Sequence, residues 1–289
     1  MQGYIQLLEN SSKSVGNIVC MGLDPILDAF PSSSSKSICT QITGYFELLF
    51  STMKKEGLVP SAFKPNIGYY TCLDRPFENK FEGTQALVQI ITMIRENFKG
   101  VPVILDSKRG DIATSSLNYA KEAFDCFFAD ATTVSPYMGS DSIMPFAYKN
   151  KGFYVLDRTS NIGGVDLQNL ILNDGGYLFE KVSYKIIEWN KEHNGIGAVV
   201  GATNINELKK IVKIFSKNQI PLLIPGVGSQ GGSASDVINA LNGTSYNLSL
   251  VRINSSSGLT HPWKKSPVPE NYLSLAVKNI EKLINEAKI

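Results

Sequence analysis

The segment ILDSKRGDIATS, residues 104–115, sets Asp106, Lys108 and Asp111 close together, and Lys64 lies in an earlier apolar run, SAFKPN at 61–66. In an extended strand alternate residues share a face, so Asp106 and Lys108 are expected to point the same way. Gly110 then releases the chain into a loop, and Asp111 stands where the next helix begins. Lys64 can join them if its strand is a neighbour. Carboxylates and ammonium groups alternating in a cleft poor in water keep one another ionised, because each favours the charged form of the other. Such an array suits a reaction that builds negative charge on its substrate and then needs a proton. Taken singly, each residue has a plainer reading: Asp111 caps a helix, and Lys108 and Arg109 are solvated loop charges. Taken together, Lys64, Asp106, Lys108 and Asp111 favour a catalytic cluster.

A second cluster is IPGVGSQGGSASD, residues 224–236, in which Gly226, Gly228 and Gly231 spell GxGxxG between an apolar run and a helical stretch. A dinucleotide-binding fingerprint has this pattern, but it opens a nucleotide-binding half and is followed about 20 residues later by an acid. Here it comes late in the chain, and that distance lands near Arg252. A phosphate grip in the loops after the last strands of a barrel explains the same glycines, with Gln230 adding a donor. A tight turn without a ligand stays open beside it. Asp24, in MGLDP, reads either as a cap before Pro25 or as an acceptor for sugar hydroxyls. Ser135, Tyr137 and Met138, in VSPYMGSD, read as a strand end and rim packing, and His261 and His193 as structural.

Eight short β-branched runs must carry these groups: 17–23, 61–66, 101–108, 131–137, 152–157, 195–201, 220–226 and 249–254. They are apolar nearly throughout, as strands covered on both faces are. Helical periodicity fills the gaps over 38–55, 83–98, 114–127, 177–191, 205–215 and 234–241, and an amphipathic stretch over 271–288 is long enough to cover the barrel. The repeated unit predicts an α/β fold, a single (β/α)8 barrel spanning residues 1–289 as one domain, with a doubly wound open sheet as the alternative. The Ser-rich stretch at 31–37 and the polar Gly/Asn insertion at 158–176 read as loops. Asp24, Lys64, Asn66, Asp106, Lys108 and Gln230 then gather at the C-terminal ends of strands, which is the mouth of such a barrel.

Composition narrows the function classes. With 28 Lys+Arg against 26 Asp+Glu, the net charge of +2 offers no broad field for a nucleic-acid backbone. Four cysteines (Cys20, Cys39, Cys72, Cys126) without CxxC spacing and two histidines make structural zinc and a disulfide framework poor readings. No apolar run approaches a membrane span, and MQGYIQLLENSSKS lacks a basic-then-apolar pattern, so no membrane partner and a cytoplasmic location are expected.

The motifs FKPN (63–66), LDSKRGDI (105–112), VSPYMG (134–139), VVGATN (199–204) and IPGVGSQGG (224–232), in this order, resemble orotidine 5′-monophosphate decarboxylase, in the longer variant found in many bacteria and some protists. The resemblance spans Asp24 to about Asn254. It implies a (β/α)8 barrel that converts orotidine monophosphate to uridine monophosphate and carbon dioxide, in the last step of pyrimidine nucleotide synthesis, with no metal and no organic cofactor. It also implies that Lys64, Asp106, Lys108 and Asp111 form a catalytic array, with Lys108 protonating C6. Asp111, Ile112 and Ser115 would reach into the partner's site of a homodimer with shared active sites. Asp24 and Asn66 would lie near the ribose, Ser135 near the pyrimidine, and Gly228 and Gln230 on the phosphate. The family usually ends its eighth strand with a phosphate-binding arginine, in a pattern like VGR or NxxR. Here RINSSSGL (252–259) departs from it: Arg252 precedes that position, and Ser255 to Gly258 can present hydroxyls and backbone N–H groups instead. Two other readings stand beside this one. A metal-dependent sugar-phosphate decarboxylase or epimerase of similar barrel type would add an acidic metal ligand, and a nucleotide-sensing module would need no proton donor.

Overall fold

The computed structural model describes residues 3–31, 37–228, 231–264 and 267–289. Most of the Ser-rich stretch expected as a loop, and Gln230 with it, lie outside the described residues. In chain order the elements begin with α1 (Tyr4–Val15), β1 (Val19–Leu23), α2 (Ile38–Lys55), β2 (Ala62–Pro65), α3 (Ile67–Thr71), α4 (Glu82–Asn97) and β3 (Ile104–Arg109). Next come α5 (Ala113–Lys121), which runs into a π turn at Glu122–Cys126, then β4 (Ala131–Val134), α6 (Ser140–Ile143), β5 (Gly152–Arg158) and α7 (Leu178–Asn190). The chain continues through β6 (Ile196–Val200), α8 (Ile205–Phe215), β7 (Leu222–Pro225), α9 (Ala234–Asn242), β8 (Val251–Ser255), α10 (Ser257–Thr260) and α11 (Tyr272–Glu286).

All the strands are parallel and neighbour one another in the order β2-β1-β8-β7-β6-β5-β4-β3. Bridges Phe63↔Val103 and Asn66↔Asp106 join β2 to β3 and close the ring. This is the (β/α)8 barrel that the alternating runs predict. The helices form because each carries one apolar stripe. In α2 the stripe is Ile42, Tyr45, Phe46, Leu49, Phe50 and Met53, all buried against the strands, and the Ser37 side chain caps its first turn by accepting from Thr40 N–H. In α8 it is Leu208, Ile211, Val212 and Phe215, behind an Asn204 cap. Burying each such side chain contributes about 1.5–3 kcal/mol before entropy is counted.

A second, smaller core fills the barrel itself: Cys20, Ala62, Ile104, Ala131, Tyr154, Val199 and Leu223, with Tyr4 and Leu8 of α1. The bottom of the barrel is therefore closed by α1, a helix that the pattern of apolar runs does not announce. Tyr4 Oη donates to Tyr154 Oη at 2.9 Å, and Gly152 is needed there because a Cβ would collide with the Tyr4 ring. The closing helix α11 packs beside α2 and α9 in the outer ring.

Candidate active site

Interior-facing residues at the C-terminal ends of the strands surround a cleft of about 530 Å³, lined among others by Asp24, Lys64, Asn66, Asp106, Lys108 and Thr133. Asp106 is its centre. Lys64 Nζ donates to Asp106 Oδ2 at 2.7 Å, Lys108 Nζ to Oδ1 at 2.5 Å, and Thr133 Oγ1 to Oδ1 at 2.8 Å. Burial alone would raise the Asp106 pKa, but Lys64 and then Lys108 outweigh it and hold the carboxyl well below the usual range. For Lys64, burial disfavours the ammonium, yet Asp106 and next Asp24 push its pKa above the ordinary value. Both groups stay charged across the physiological range. The Lys64 side chain is 5% exposed and that of Lys108 49%, so the second lysine is the one a ligand can meet.

Lys108 reaches Asp106 by a route other than regular strand alternation. Its φ is +47, a region costly for a residue with a Cβ, and the β3–β4 register shifts between Leu105 and Arg109. Thr133 Oγ1 accepts from the N–H groups of both Ser107 and Lys108, at 3.0 and 2.9 Å, which holds the bulge. Arg109 turns away and forms a bidentate pair with Glu122 at 3.0 Å, tying the strand end to the π turn.

The remaining sequence-derived residues divide. Asp24 lines the cleft with a buried Oδ1 that has no partner, and Asn66 lines it while capping α3 through Gly68 N–H. Asp111, Ile112 and Ser115 do not line it. Asp111 Oδ1 accepts from Ile112 N–H, and Ile112 is 56% exposed. Ser135 also lies outside the cleft lining, on the rim, where its N–H donates to Arg109 O and its side chain abuts Gly110. Gly228, at φ +84, lines a neighbouring cleft of about 500 Å³ with Ser255, Ser257, Gly258 and Lys264. The loop's own N–H groups at 228, 231 and 232 are bonded to loop carbonyls.

Arg252 requires a correction. It belongs to the floor of the barrel, not to the mouth: fully buried, it donates to Ser61 O, Ser249 O, Val251 O and Leu8 O. It shares the inward face of β8 with Asn254, but two residues nearer the closed end. Sequence reasoning also misses Thr159, Ser160, Asn161 and Gln168, which the polar insertion after β5 brings to the cleft. Gln168 clamps this loop, accepting from Thr159 N–H at 2.9 Å and donating to Thr159 Oγ1 at 2.9 Å. Their position directly after a barrel strand was the available signal. Among the described residues no group of three or more His, Cys, Asp or Glu could hold a metal ion, and no helix is long and apolar enough to cross a membrane.

A closed parallel barrel with ionised groups converging at the C-terminal ends of its strands has the architecture of barrel enzymes. The model of the Orotidine 5′-phosphate decarboxylase / HUMPS family matches residues 61–245, and the chain belongs to this family. It is 36% identical over 260 residues to the orotidine 5′-phosphate decarboxylase of Aromatoleum aromaticum, covering 89% of this chain and 90% of the relative. To that of Ralstonia pickettii it is 39% identical over 251 residues, covering 85% and 84%. The solved OMP decarboxylase of Leishmania donovani superposes with a TM-score of 0.74 at 30% identity, over 99% of this chain and 97% of that one.

Proposed function

We propose that this protein decarboxylates orotidine 5′-monophosphate to uridine 5′-monophosphate and carbon dioxide, acting in the cytoplasm as a homodimer. The observation that carries the reading is the Lys64–Asp106–Lys108 array at the foot of an open cleft, in a chain of this family. When the bond from C6 to the carboxylate breaks, carbon dioxide leaves and the electron pair stays on C6, where no adjacent carbonyl delocalises it. The barrier then falls mainly through charge fixed in advance. Lys108, the exposed member of the array, stabilises that carbanion and gives it a proton. Asp106, held ionised by its two lysines, faces the substrate carboxylate and disfavours the ground state.

The phosphate falls to the cleft beside Gly228, Ser257 and Lys264, and Asp24 and Asn66 serve the sugar; Gln230, outside the described residues, is assigned to the phosphate by its place in the sequence motif alone. Two features support the dimer. Asp111, Ile112 and Ser115 stand outside the cleft of their own chain, available to a second one. Ile112, Leu117, Tyr137 and Met138 leave an apolar surface exposed around the ends of β3 and β4. The chemistry needs no metal or organic cofactor.

The test is loss of the orotidylate absorbance on mixing with purified protein in excess chelator. Undiminished turnover is expected. Activity that vanishes with chelator and returns with magnesium would point to the metal-dependent sugar-phosphate class, and binding without turnover to a nucleotide sensor.

A further inference from the structure

Arg158 ends β5, directly before the polar loop that brings Thr159, Ser160, Asn161 and Gln168 to the cleft. Regular strand alternation would set it in the inward row with Tyr154 and Leu156. The β5–β6 register shifts between Leu156 and Arg158, so that Leu156 pairs with Val199 of the inner core and Arg158 with Val200 of the outer one. This irregularity re-aims the guanidinium toward the helices. There its Nε lies 2.8 Å from Oε2 of Glu207, in the first turn of α8, with the two side chains 9% and 13% exposed. These two atoms make no well-aligned hydrogen bond, so charge and enclosure hold the pair.

The pair grips both ends of the loop. Arg158 Nη1 donates to Thr159 O at 2.6 Å and to Gln168 Oε1 at 3.2 Å, while Asn169 Nδ2 donates to Glu207 Oε1 at 2.8 Å. Gly164, inside the loop, leaves room for the guanidinium, since a Cβ there would lie 2.5 Å from Nη1. A buried ion pair adds little net stability over apolar residues of the same volume, so stability alone is a poor reason for this one. What it supplies is a fixed geometry for the loop. We propose that Arg158 and Glu207 are positioning residues, an ion pair behind the wall of the cleft that fixes the loop after β5 so that Thr159, Ser160 and Asn161 face the nucleotide. Neither residue of the pair lines the cleft. The Lys64–Asp106–Lys108 array stands on β2 and β3, and among the described residues no hydrogen bond links it to this network. Loosening the loop therefore weakens binding, because the nucleotide must then order the loop itself, and leaves the chemical step as it was.

The inference rests on the proposed function, and its experiment separates the two. Arg158→Lys keeps a cation opposite Glu207 but lacks the fork to Thr159 and Gln168; Glu207→Gln keeps the shape and an acceptor for Asn169 but lacks the charge. For wild type, each variant and the double variant, steady-state turnover of orotidine monophosphate, calorimetric binding of uridine monophosphate, thermal unfolding and amide hydrogen exchange are measured. Each single variant should raise KM and the Kd of uridine monophosphate about tenfold, the scale of one charged hydrogen bond, with kcat within about threefold of wild type. Amides of residues 159–168 should exchange faster while those of β2 and β3 do not. The double variant should be within about twofold of the weaker-binding single one, because both substitutions break the same pair. A wild-type KM in either folded single variant, a loss confined to kcat, fully additive losses, exchange that rises equally throughout the barrel, or failure of both single variants to fold would each overturn the inference. A wild type that binds uridine monophosphate but leaves orotidine monophosphate intact would overturn only the proposed reaction, with binding and loop exchange still reading the pair.

Discussion

The two ends of this barrel each bury a strong cation, and they treat it in opposite ways. At the mouth, Lys64 is paired with a carboxylate, Asp106, which also receives Lys108 and Thr133. At the floor, Arg252 is surrounded by the carbonyls of Ser61, Ser249, Val251 and Leu8. Among the described residues, the floor leaves no hydrogen-bonding atom of Arg252, Tyr4 or Tyr154 buried without a partner. The mouth keeps orphaned oxygens on Asp24 and Asn254 and a lysine at positive φ. Groups that a fold satisfies internally stabilise it. Groups that it holds charged, strained or unpaired are available to something else.

That contrast can be broken first at the mouth. If Asp111 serves a neighbour's Lys108, then Lys108→Ala and Asp111→Ala proteins, each inactive alone, should recover activity when mixed and allowed to exchange subunits. Each mixed dimer has one site with both lesions and one with neither, so random reassortment should restore roughly a quarter of wild-type activity. A mixture that exchanges subunits and stays inactive would place both residues in one chain's site.

At the floor the expectation is a loss of stability with kinetics spared. Arg252→Ala should unfold about 3–5 kcal/mol more easily, from the cavity and the carbonyls it orphans, while its folded fraction keeps a KM within about twofold of wild type. Denaturant unfolding and steady-state assay read the two separately, and a specific rise in KM would return Arg252 to the substrate.

The smallest effect lies between the ends, in the layer under α7. Asp157 is fully buried beside Ser183 Oγ at 2.6 Å, and burial lifts its pKa to about 8. An unfolded chain releases this proton near pH 4, so the fold holds it more tightly. The stability gained is full below about pH 4 and is lost as the pH rises to about 8. Asp157→Asn should be more stable than wild type by about 2 kcal/mol at pH 9, with the difference shrinking toward pH 4, by thermal unfolding across pH. A difference independent of pH would show that the carboxyl is ionised in the fold.

Much of the mouth was legible because charged residues at the ends of apolar strands add nothing to a packed core: Lys64, Asp106 and Lys108 stand out this way, and the bounds of α2 and α8 follow from their stripes and caps. Arg252 was misplaced because a run of apolar residues does not show where along a strand the barrel layer changes. One residue pair separates floor from mouth on the same face of β8. The helix α1 was missed because its apolar face is narrow and its role is to plug a barrel that exists only after closure. Thr159 and Gln168 were missed because a polar loop becomes part of a site only when its own hydrogen bonds fold it over the cleft. The route of Lys108 was hidden for a similar reason, since the bulge depends on Thr133, a residue of another strand.

The most direct test of the lysine–carboxylate chemistry compares wild type with Lys108→Ala on orotidine monophosphate, following both carbon dioxide release and binding of uridine monophosphate. Wild type should release carbon dioxide. Lys108→Ala should fold, bind the product within about threefold of wild type and turn over at least about 10³-fold more slowly, the range expected when a positioned proton donor and its charge are removed. Near-wild-type turnover by Lys108→Ala, or no carbon dioxide from wild type, would contradict the claim that chemistry resides in the array at the mouth.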